Sequence, residues 1–461
     1  MTVAGKRLHL VGIGGAGMSG IALVLHSMGA VVSGSDLRTS EVTRMLEQKG
    51  IKIYEGHAES FLAPETDLVV VSSAVPSHNP EIQAAKRRGI PVIKRGEMLA
   101  LLSNSYKGIA VAGAHGKTTT TSMISLVLEE NGLDPTFIIG GQMQRTLVNA
   151  KLGQGELFVA EADESDASFL LLHPYVGVVT NVEDDHLDYY QSVENIRSAF
   201  RQFVDQVVPH GFAVLFAEDK FLAELRGQTQ SRLVYYGFKD SCDYYCCNIR
   251  TRGTGSEFEA YERGQLLGEA YLKVPGIHNV LNAMAAIAVG REIGLEFRGI
   301  VKALGEFAGA KRRFEVVGKL NGITVIDDYA HHPTEITATI RAARQFHKNR
   351  LIVIFQPHRY TRTQLLGHQF GPAFQGSDMV IITDVYGAGE SPIPGVTGEL
   401  IYKSALAEGC NAVYIPGKDE VVDYVAKELR CDDLVITMGA GDIWQTGLKL
   451  VQELQKFIPQ A

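Results

Sequence analysis

Ile109-Ala-Val-Ala-Gly-Ala-His-Gly-Lys-Thr-Thr-Thr-Thr121 decides how the chain is read. Ile109 to Ala112 are small and apolar and suit a buried strand, and Gly113 and Gly116 let the backbone turn its N–H groups inward. Lys117 adds a point charge. Thr118 offers a hydroxyl to a magnesium ion, and a helix predicted over Thr119–Glu130 presents its N-terminus to the same anion. The loop from Gly113, Ala114 and His115 through Gly116, Lys117, Thr118 and Thr119 is therefore the candidate phosphate cradle. The usual phosphate-loop pattern has a glycine five residues before the second Gly, where this chain has Val111. The bland alternative is a Gly-rich strand-to-helix turn with a solvated lysine.

Upstream, Leu8–Val11 is an apolar strand that runs into Gly12-Ile-Gly14-Gly15-Ala16-Gly17, after which Met18 to Met28 has helical spacing. A strand over Val31–Gly34 precedes Asp36, which stands nineteen residues past Gly17, where a dinucleotide-binding protein keeps its ribose acid. Such a glycine pattern also describes a tight turn that binds nothing. If it binds, the pyrophosphate of any nucleoside diphosphate suits a helix N-terminus. Leu68–Ser73, a helix over Pro80–Arg88 and a short strand at Pro91–Ile93 continue the alternation. The ligand is expected where Gly14 to Gly17, Asp36, Ser72 and Ser73 converge at the strands' carboxyl ends. The largely polar Leu101–Lys107 marks a first boundary.

Downstream of the phosphate loop, apolar Leu157–Ala160 ends in Glu161-Ala-Asp-Glu-Ser-Asp166, and Val176–Thr180 runs into Asn181-Val-Glu-Asp-Asp-His186. Glu161 and His186 stand out because each follows an apolar strand closely. Together with Thr118 they are the candidate metal ligands, magnesium taking hard oxygens and a second ion accepting imidazole. Residues 211–274 read as further sheet with a hairpin at Arg263-Gly264, and Tyr244-Tyr-Cys-Cys247 reads as packing. Asn279 and Asn282 share a helix face, where they either read a nucleobase or cap the helix. Lys311-Arg312-Arg313 sits at a second boundary.

Four more apolar strands, Ile323–Ile326, Leu351–Phe355, Met379–Thr383 and Leu434–Thr437, each end in a polar cluster, so these clusters are expected on one sheet edge. Asp327-Asp328-Tyr329-Ala-His331-His332 follows the first. At least one of the two histidines is expected to be functional, the alternative being an imidazole that caps a helix or lies buried. His358, Arg359 and Arg362 follow the second, and paired guanidiniums suit a carboxylate or phosphate unless they merely open a solvated helix.

A chain of 461 residues exceeds one ordinary core, and three domains are expected: 1–104, Rossmann-like; 105–312, P-loop ATPase-like with a mostly parallel sheet; 313–461, again Rossmann-like. The fold class is thus α/β. With 44 basic and 52 acidic residues the net charge is −8, which argues against a general nucleic-acid or anionic-membrane partner. Lys6 and Arg7 precede a stretch too rich in glycine for a signal helix, and no run reaches the roughly 20 apolar residues of a membrane span. Five cysteines without a C-x-x-C pair indicate neither disulfides nor zinc, so a reducing cytoplasm is expected.

Gly-Ile-Gly-Gly-Ala-Gly-Met-Ser-Gly20, Gly-Ala-His-Gly-Lys-Thr-Thr-Thr-Thr121, Glu-Ala-Asp-Glu-Ser-Asp-Ala-Ser168, Asp-Asp-Tyr-Ala-His-His-Pro333 and Gln-Pro-His-Arg-Tyr-Thr-Arg362 together resemble the Mur ligase family over residues 12–362. The resemblance implies an ATP-driven ligation in which the lactyl carboxylate of UDP-N-acetylmuramate becomes an acyl phosphate, attacked by the amine of L-alanine. It assigns Gly14, Gly15, Ala16, Gly17, Met18, Ser19, Asp36, Ser72 and Ser73 to the UDP-linked substrate. ATP falls to the Gly113–Thr119 loop with His278, Asn279, Asn282, Arg313 and Asp328. Tyr329, His331, His358, Arg359 and Arg362 surround the amino acid. Lys117, Glu161, His186, Arg313, His331, Arg359 and Arg362 would act in catalysis, with Mg2+, in two ions or replaced by Mn2+, on Thr118, Glu161 and His186. A monomer or homodimer is implied. Later enzymes of the pathway place a carbamylated lysine a short way past the matching histidine; Ile196-Arg-Ser-Ala-Phe200 offers none, which fits the first amino-acid-adding step. The rivals are a murein peptide recycling ligase, a nicotinamide-dependent dehydrogenase built on the first glycine loop, and a nucleotide-binding scaffold without turnover.

Overall fold

Runs of valine, isoleucine, leucine and alanine fold into three sheets, each strand ending in a polar loop. The computed structural model describes residues 3–142, 149–184 and 187–456. The chain divides into two compact units, one formed by the first 249 residues with Glu257–Leu272 and Asn279–Ala308, the other chiefly by Gly309–Ala461.

In the first unit, five parallel strands lie in the order Lys52–Glu55, Val31–Asp36, Arg7–Val11, Leu68–Val71, Val92–Lys94. The order reverses between Arg7–Val11 and Leu68–Val71. The loops after these two strands therefore open the crevice where such sheets take ligands. The strand Val31–Asp36 runs two residues further than expected, so Asp36 is its last residue.

The second sheet has ten strands, and its parallel centre runs Arg232–Gly237, Phe212–Phe216, Val176–Val179, Lys107–Ala112, Leu157–Glu161, Thr136–Ile138. Lys107–Ala112 is flanked by Val176–Val179 and Leu157–Glu161, so the phosphate loop and both acidic strand ends share one edge. The helix Ala16–Ser27 of the first sheet buries Met18, Ile21 and Leu25 in one apolar cluster with Ile138, Ala150, Phe158 and Ala160 of the second. Gly20 permits that approach, since a Cβ there would stand 2.9 Å from Cγ2 of Ile138.

The second unit holds six strands in the order Glu315–Leu320, Ile323–Asp328, Leu434–Met438, Leu351–Phe355, Met379–Ile382, Ala412–Tyr414, parallel except for the first pair.

The stretch read as polar and irregular, Leu101–Lys107, is mostly ordered. The helix Arg95–Ser103, with Met98, Leu99 and Leu102 buried, takes the first three residues of the stretch, and Lys107 opens the next strand. The expected hairpin forms, with Arg263 and Gly264 at φ +46° and +84°. All five cysteines are free, and burial pushes the Cys242 and Cys246 thiols up to about 11 and about 12, which makes them unreactive. Among the described residues no helix is long and apolar enough to cross a membrane.

Candidate active site

The phosphate loop owes its shape to two glycines and an asparagine. Gly113 has φ +131° and would place a Cβ 2.1 Å from Oγ1 of Thr180, so no other residue fits. Gly116, at φ +85°, is the left-handed cap of the helix Lys117–Glu130, which starts two residues earlier than predicted. Among the described residues no side chain caps this helix and no acid lies in its first turn, which suits its first N–H groups to an anion. Asn181 clips the loop from the neighbouring strand end. Its Nδ2 donates to His115 O at 3.0 Å, its Oδ1 accepts from His115 N at 2.9 Å, and its O accepts from Ala114 N at 3.3 Å. Thr180 Oγ1 adds a bond to His115 O at 2.5 Å. Neither residue was a sequence candidate, although the position directly after an apolar strand was the available signal.

Lys117 Nζ donates to Gly113 O at 2.6 Å, Ala114 O at 3.2 Å and Glu164 Oε1 at 2.7 Å. Burial disfavours the ammonium, but Glu164, Asp163 and Glu161 outweigh it and hold the pKa above the usual lysine value. Glu161 Oε2 accepts from Thr118 Oγ1 at 3.2 Å, and its Oε1 accepts from Gly140 N at 2.6 Å. Hydroxyl and carboxylate thus meet beside the cradle as two hard oxygen donors, a set that fits Mg2+. Thr119 is buried beneath the loop. His186 lies outside the described residues. Asn282 Oδ1 accepts from Thr120 Oγ1 at 3.2 Å and would lie 2.7 Å from a Cβ at Gly116, while its Nδ2 donates to Asn279 Oδ1 at 3.4 Å. The amide pair leans on the start of the phosphate-loop helix.

At the first sheet, Asp36 Oδ2 accepts from Gly14 N at 2.8 Å, and the helix Ala16–Ser27 begins at Gly15 with neither a side-chain cap nor an acid in its first turn. Gly17 is the second residue of that helix. Ser72 N donates to Val11 O at 3.0 Å and Ser73 is exposed on the same rim. Two candidates turn inward. Met18 is in the core, and Ser19 Oγ donates to Ala16 O at 3.0 Å and accepts from Asn149 Nδ2 at 2.9 Å. Arg95 was not a sequence candidate, because an arginine opening a helix reads as solvated. It stands against Gly17, whose Cβ would be 3.2 Å from Nη1, and its Nη2 pairs with Asp163 at 2.6 Å. Phe200 is packed against Phe169 in the core, with ring centroids 5.2 Å apart.

In the second unit the two adjacent histidines divide their roles. His332 caps the helix Pro333–Phe346, accepting from Thr334 N, whereas His331 Nδ1 lies 2.9 Å from Tyr329 O and 3.2 Å from Glu335 Oε2. The His331 ring meets those of Tyr329 and His358 edge-on, and His358 stacks on Tyr386. Burial, then His331, Arg362, Arg359 and Arg312, push the His358 pKa down to about 3, so this imidazole is neutral. Arg359 begins the helix Tyr360–Ala373 at φ +70° and ψ 136°, a conformation that L-residues seldom adopt, and its N donates to Tyr386 O at 2.8 Å. Arg362 lies one turn on, 3.5 Å from His358 Nδ1.

Arg312 and Arg313 both lie over the Tyr329 ring, at 4.9 and 5.0 Å from its centroid. Arg312 pairs with Asp327 at 3.0 Å and Arg313 with Glu335 at 3.3 Å. Asp328 accepts from the N–H groups of Phe314 and Ala330, each at 2.8 Å, yet burial lifts its pKa to about 6. Burial and then Arg313 lower the His278 pKa to about 4.

An α/β chain with a Rossmann-type glycine loop, a lysine-bearing phosphate loop and a third sheet rimmed by histidine and arginine belongs to the Mur ligase family. The family's catalytic domain matches residues 7–107, its middle domain 111–290 and its glutamate ligase domain 312–441. Among relatives, the UDP-N-acetylmuramate–L-alanine ligase of Syntrophomonas wolfei is 54% identical over 98% of both chains. That of Desulforamulus reducens is 52% identical, again over 98% of each. The solved UDP-N-acetylmuramate-alanine ligase of Thermotoga maritima superposes with a TM-score of 0.84 at 33% identity, covering 98% of this chain and 99% of that one. A murein peptide ligase from Psychrobacter arcticus reaches 0.74 at 27%, covering 99% and 100%.

Proposed function

We propose that the chain joins L-alanine to the lactyl carboxylate of UDP-N-acetylmuramate at the expense of ATP, releasing ADP and phosphate in cytoplasmic peptidoglycan precursor synthesis. The observation that carries the reading is the convergence of Lys117, Thr118 and Glu161 on a loop shaped by Gly113 and Gly116, in a chain 54% identical to a ligase of that name. Functional domains are assigned to 1–104 for the UDP-linked substrate, 105–312 for ATP and 313–461 for the amino acid.

The chemistry is charge management. The N–H groups at the start of the helix Lys117–Glu130 and the Lys117 ammonium neutralise the γ-phosphoryl group as it passes to the carboxylate, on the loop Gly113–Thr119. Thr118 and Glu161, with His186 in the family pattern, would hold Mg2+, whose charge offsets that of the phosphates. His278, Asn279, Asn282, Arg313 and Asp328 take the rest of ATP. Gly14 to Ser19, Asp36, Ser72 and Ser73 take the UDP group, Met18 and Ser19 through their backbone. Alanine lies among Tyr329, His331, His358, Arg359 and Arg362, where a guanidinium pairs with its carboxylate and leaves the amine to attack the acyl phosphate.

A coupled ADP-release assay tests this. Turnover is expected only with UDP-N-acetylmuramate, L-alanine and Mg2+ together. Turnover with a tripeptide and none with free alanine would instead support a murein peptide ligase, and a nicotinamide absorbance change without ATP would support a dehydrogenase.

A further inference from the structure

Within one short loop, three acids hold three different parts of the machinery. Glu161 takes the hydroxyl of Thr118, Glu164 takes the ammonium of Lys117, and Asp163 takes the guanidinium of Arg95 beside Gly17. We propose that this loop, Glu161–Asp166, is a counter-ion relay coupling the triphosphate site to the UDP-diphosphate site, with Asp163 as its positioning residue. The inference rests on the ligand assignments of the proposed function.

The parts are rigidly tied. Asp163 Oδ1 accepts from Ser165 N at 3.0 Å, and Asp166 Oδ2 stands 4.0 Å from the same Arg95 Nη2 that Asp163 takes. The helix that Arg95 opens abuts the same loop so closely that a Cβ on Gly96 would lie 2.3 Å from that of Ser168. The backbones that carry Arg95 and Asp163 are therefore held close together, so a change at the guanidinium is felt by its acid. Asp163 on Arg95 and Glu164 on Lys117 are consecutive residues, so the two cations are paired from one short stretch of chain.

The sense of the coupling follows from charge. A diphosphate at Gly14–Gly17 draws on Arg95 and leaves Asp163 less compensated; a nucleotide on Lys117 does the same to Glu164. Either event adds negative potential where the other anion must bind. Without a divalent cation the two ligands oppose one another, and a cation held at Thr118 and Glu161 removes the opposition. Linkage requires the effect to be reciprocal.

The test is calorimetric titration of the full chain with ADP in EDTA, with and without saturating UDP-N-acetylmuramate, then again with Mg2+. Without metal the second ligand is expected to raise the Kd for ADP about fivefold or more. Mg2+ is expected to bring that ratio towards one. Asp163→Asn is expected to hold it within about twofold of one in both buffers, and Asp163→Glu to restore it in EDTA. The ratio is the readout because a merely structural lesion shifts both Kd values together. A wild-type ratio of one with both ligands bound, or an unchanged ratio in Asp163→Asn, would overturn the relay. Failure of the wild-type chain to bind either ligand would overturn the ligand assignment itself, and the relay with it.

Discussion

Lys117 Nζ lies 2.7 Å from Glu164 Oε1, with two carbonyls of its own loop, Gly113 O and Ala114 O, at 2.6 and 3.2 Å. An incoming nucleotide therefore exchanges one set of oxygens for another around an ammonium that is already charged and in place. Lys117→Ala removes that charge at the transferring phosphoryl, and a fall in kcat of about a hundredfold or more is expected in the ADP-release assay. A kcat within about tenfold of wild type would count against the assignment.

Asn181 gives the loop its fixed curvature through three bonds to Ala114 and His115. In Asn181→Ala the partly buried His115 N–H loses its side-chain acceptor, while the His115 carbonyl keeps Thr180 Oγ1, at a cost of about 1–3 kcal/mol. The Kd for ADP should rise about tenfold, while Tm falls by no more than a few degrees. A large Tm loss with unaltered ADP affinity would assign Asn181 to folding alone.

Opposed titrations meet in the second unit. His278 and His358, with pKa values lowered to about 4 and about 3, bind fewer protons in the folded than in the unfolded chain below about pH 6.5, so their contribution to stability is lost as pH falls. Asp328 has the opposite sign. Its pKa, raised to about 6, means that the folded chain binds more protons between about pH 4 and 6, so its contribution grows as pH falls through that window. Asp328→Asn removes this compensation. Its drop in Tm between pH 6.5 and 4.5 should exceed that of wild type, and an equal or smaller drop would contradict the sign assigned to Asp328.

At Arg359 function and stability pull apart. The residue sits at φ +70° and ψ 136°, where a side chain costs about 1–3 kcal/mol and glycine costs little. Arg359→Gly should raise Tm by about 2 °C while abolishing alanine-dependent turnover. A lower Tm would show that the guanidinium stabilises the fold by more than the backbone strain it imposes.

Much of this is legible in the residues. Strands of Val, Ile, Leu and Ala ending in Gly, Asp or His announce parallel sheets with polar edges, because both faces of such strands are buried. The phosphate loop is legible for the same reason, since few other structures need Gly113, Gly116, Lys117 and Thr118 in that order. What escapes is pairing between distant segments. Arg95 gains its meaning only from Gly17 and Asp163, and Asn181 only from a loop far from it along the chain, neither of which leaves a local pattern. The helix Arg95–Ser103 is hard to see because its last turn ends in Ser103 and polar Asn104, which mask the buried Met98, Leu99 and Leu102 before them. Of Met18 and Ser19, read as ligand contacts from their place after the glycines, the side chains are buried, on the face this helix packs inward.

The oily seam that joins Ile21 and Leu25 to Ile138 and Phe158 bears on how this molecule can be taken apart. A fragment cut at Asn104 would carry a complete five-stranded sheet and still expose a greasy flank, and would be expected to clump rather than dissolve. Recombination between related genes faces the same barrier: a graft that brings in a new nucleotide-sugar module must bring along the patch opposite Gly20, or the chimera loses its footing.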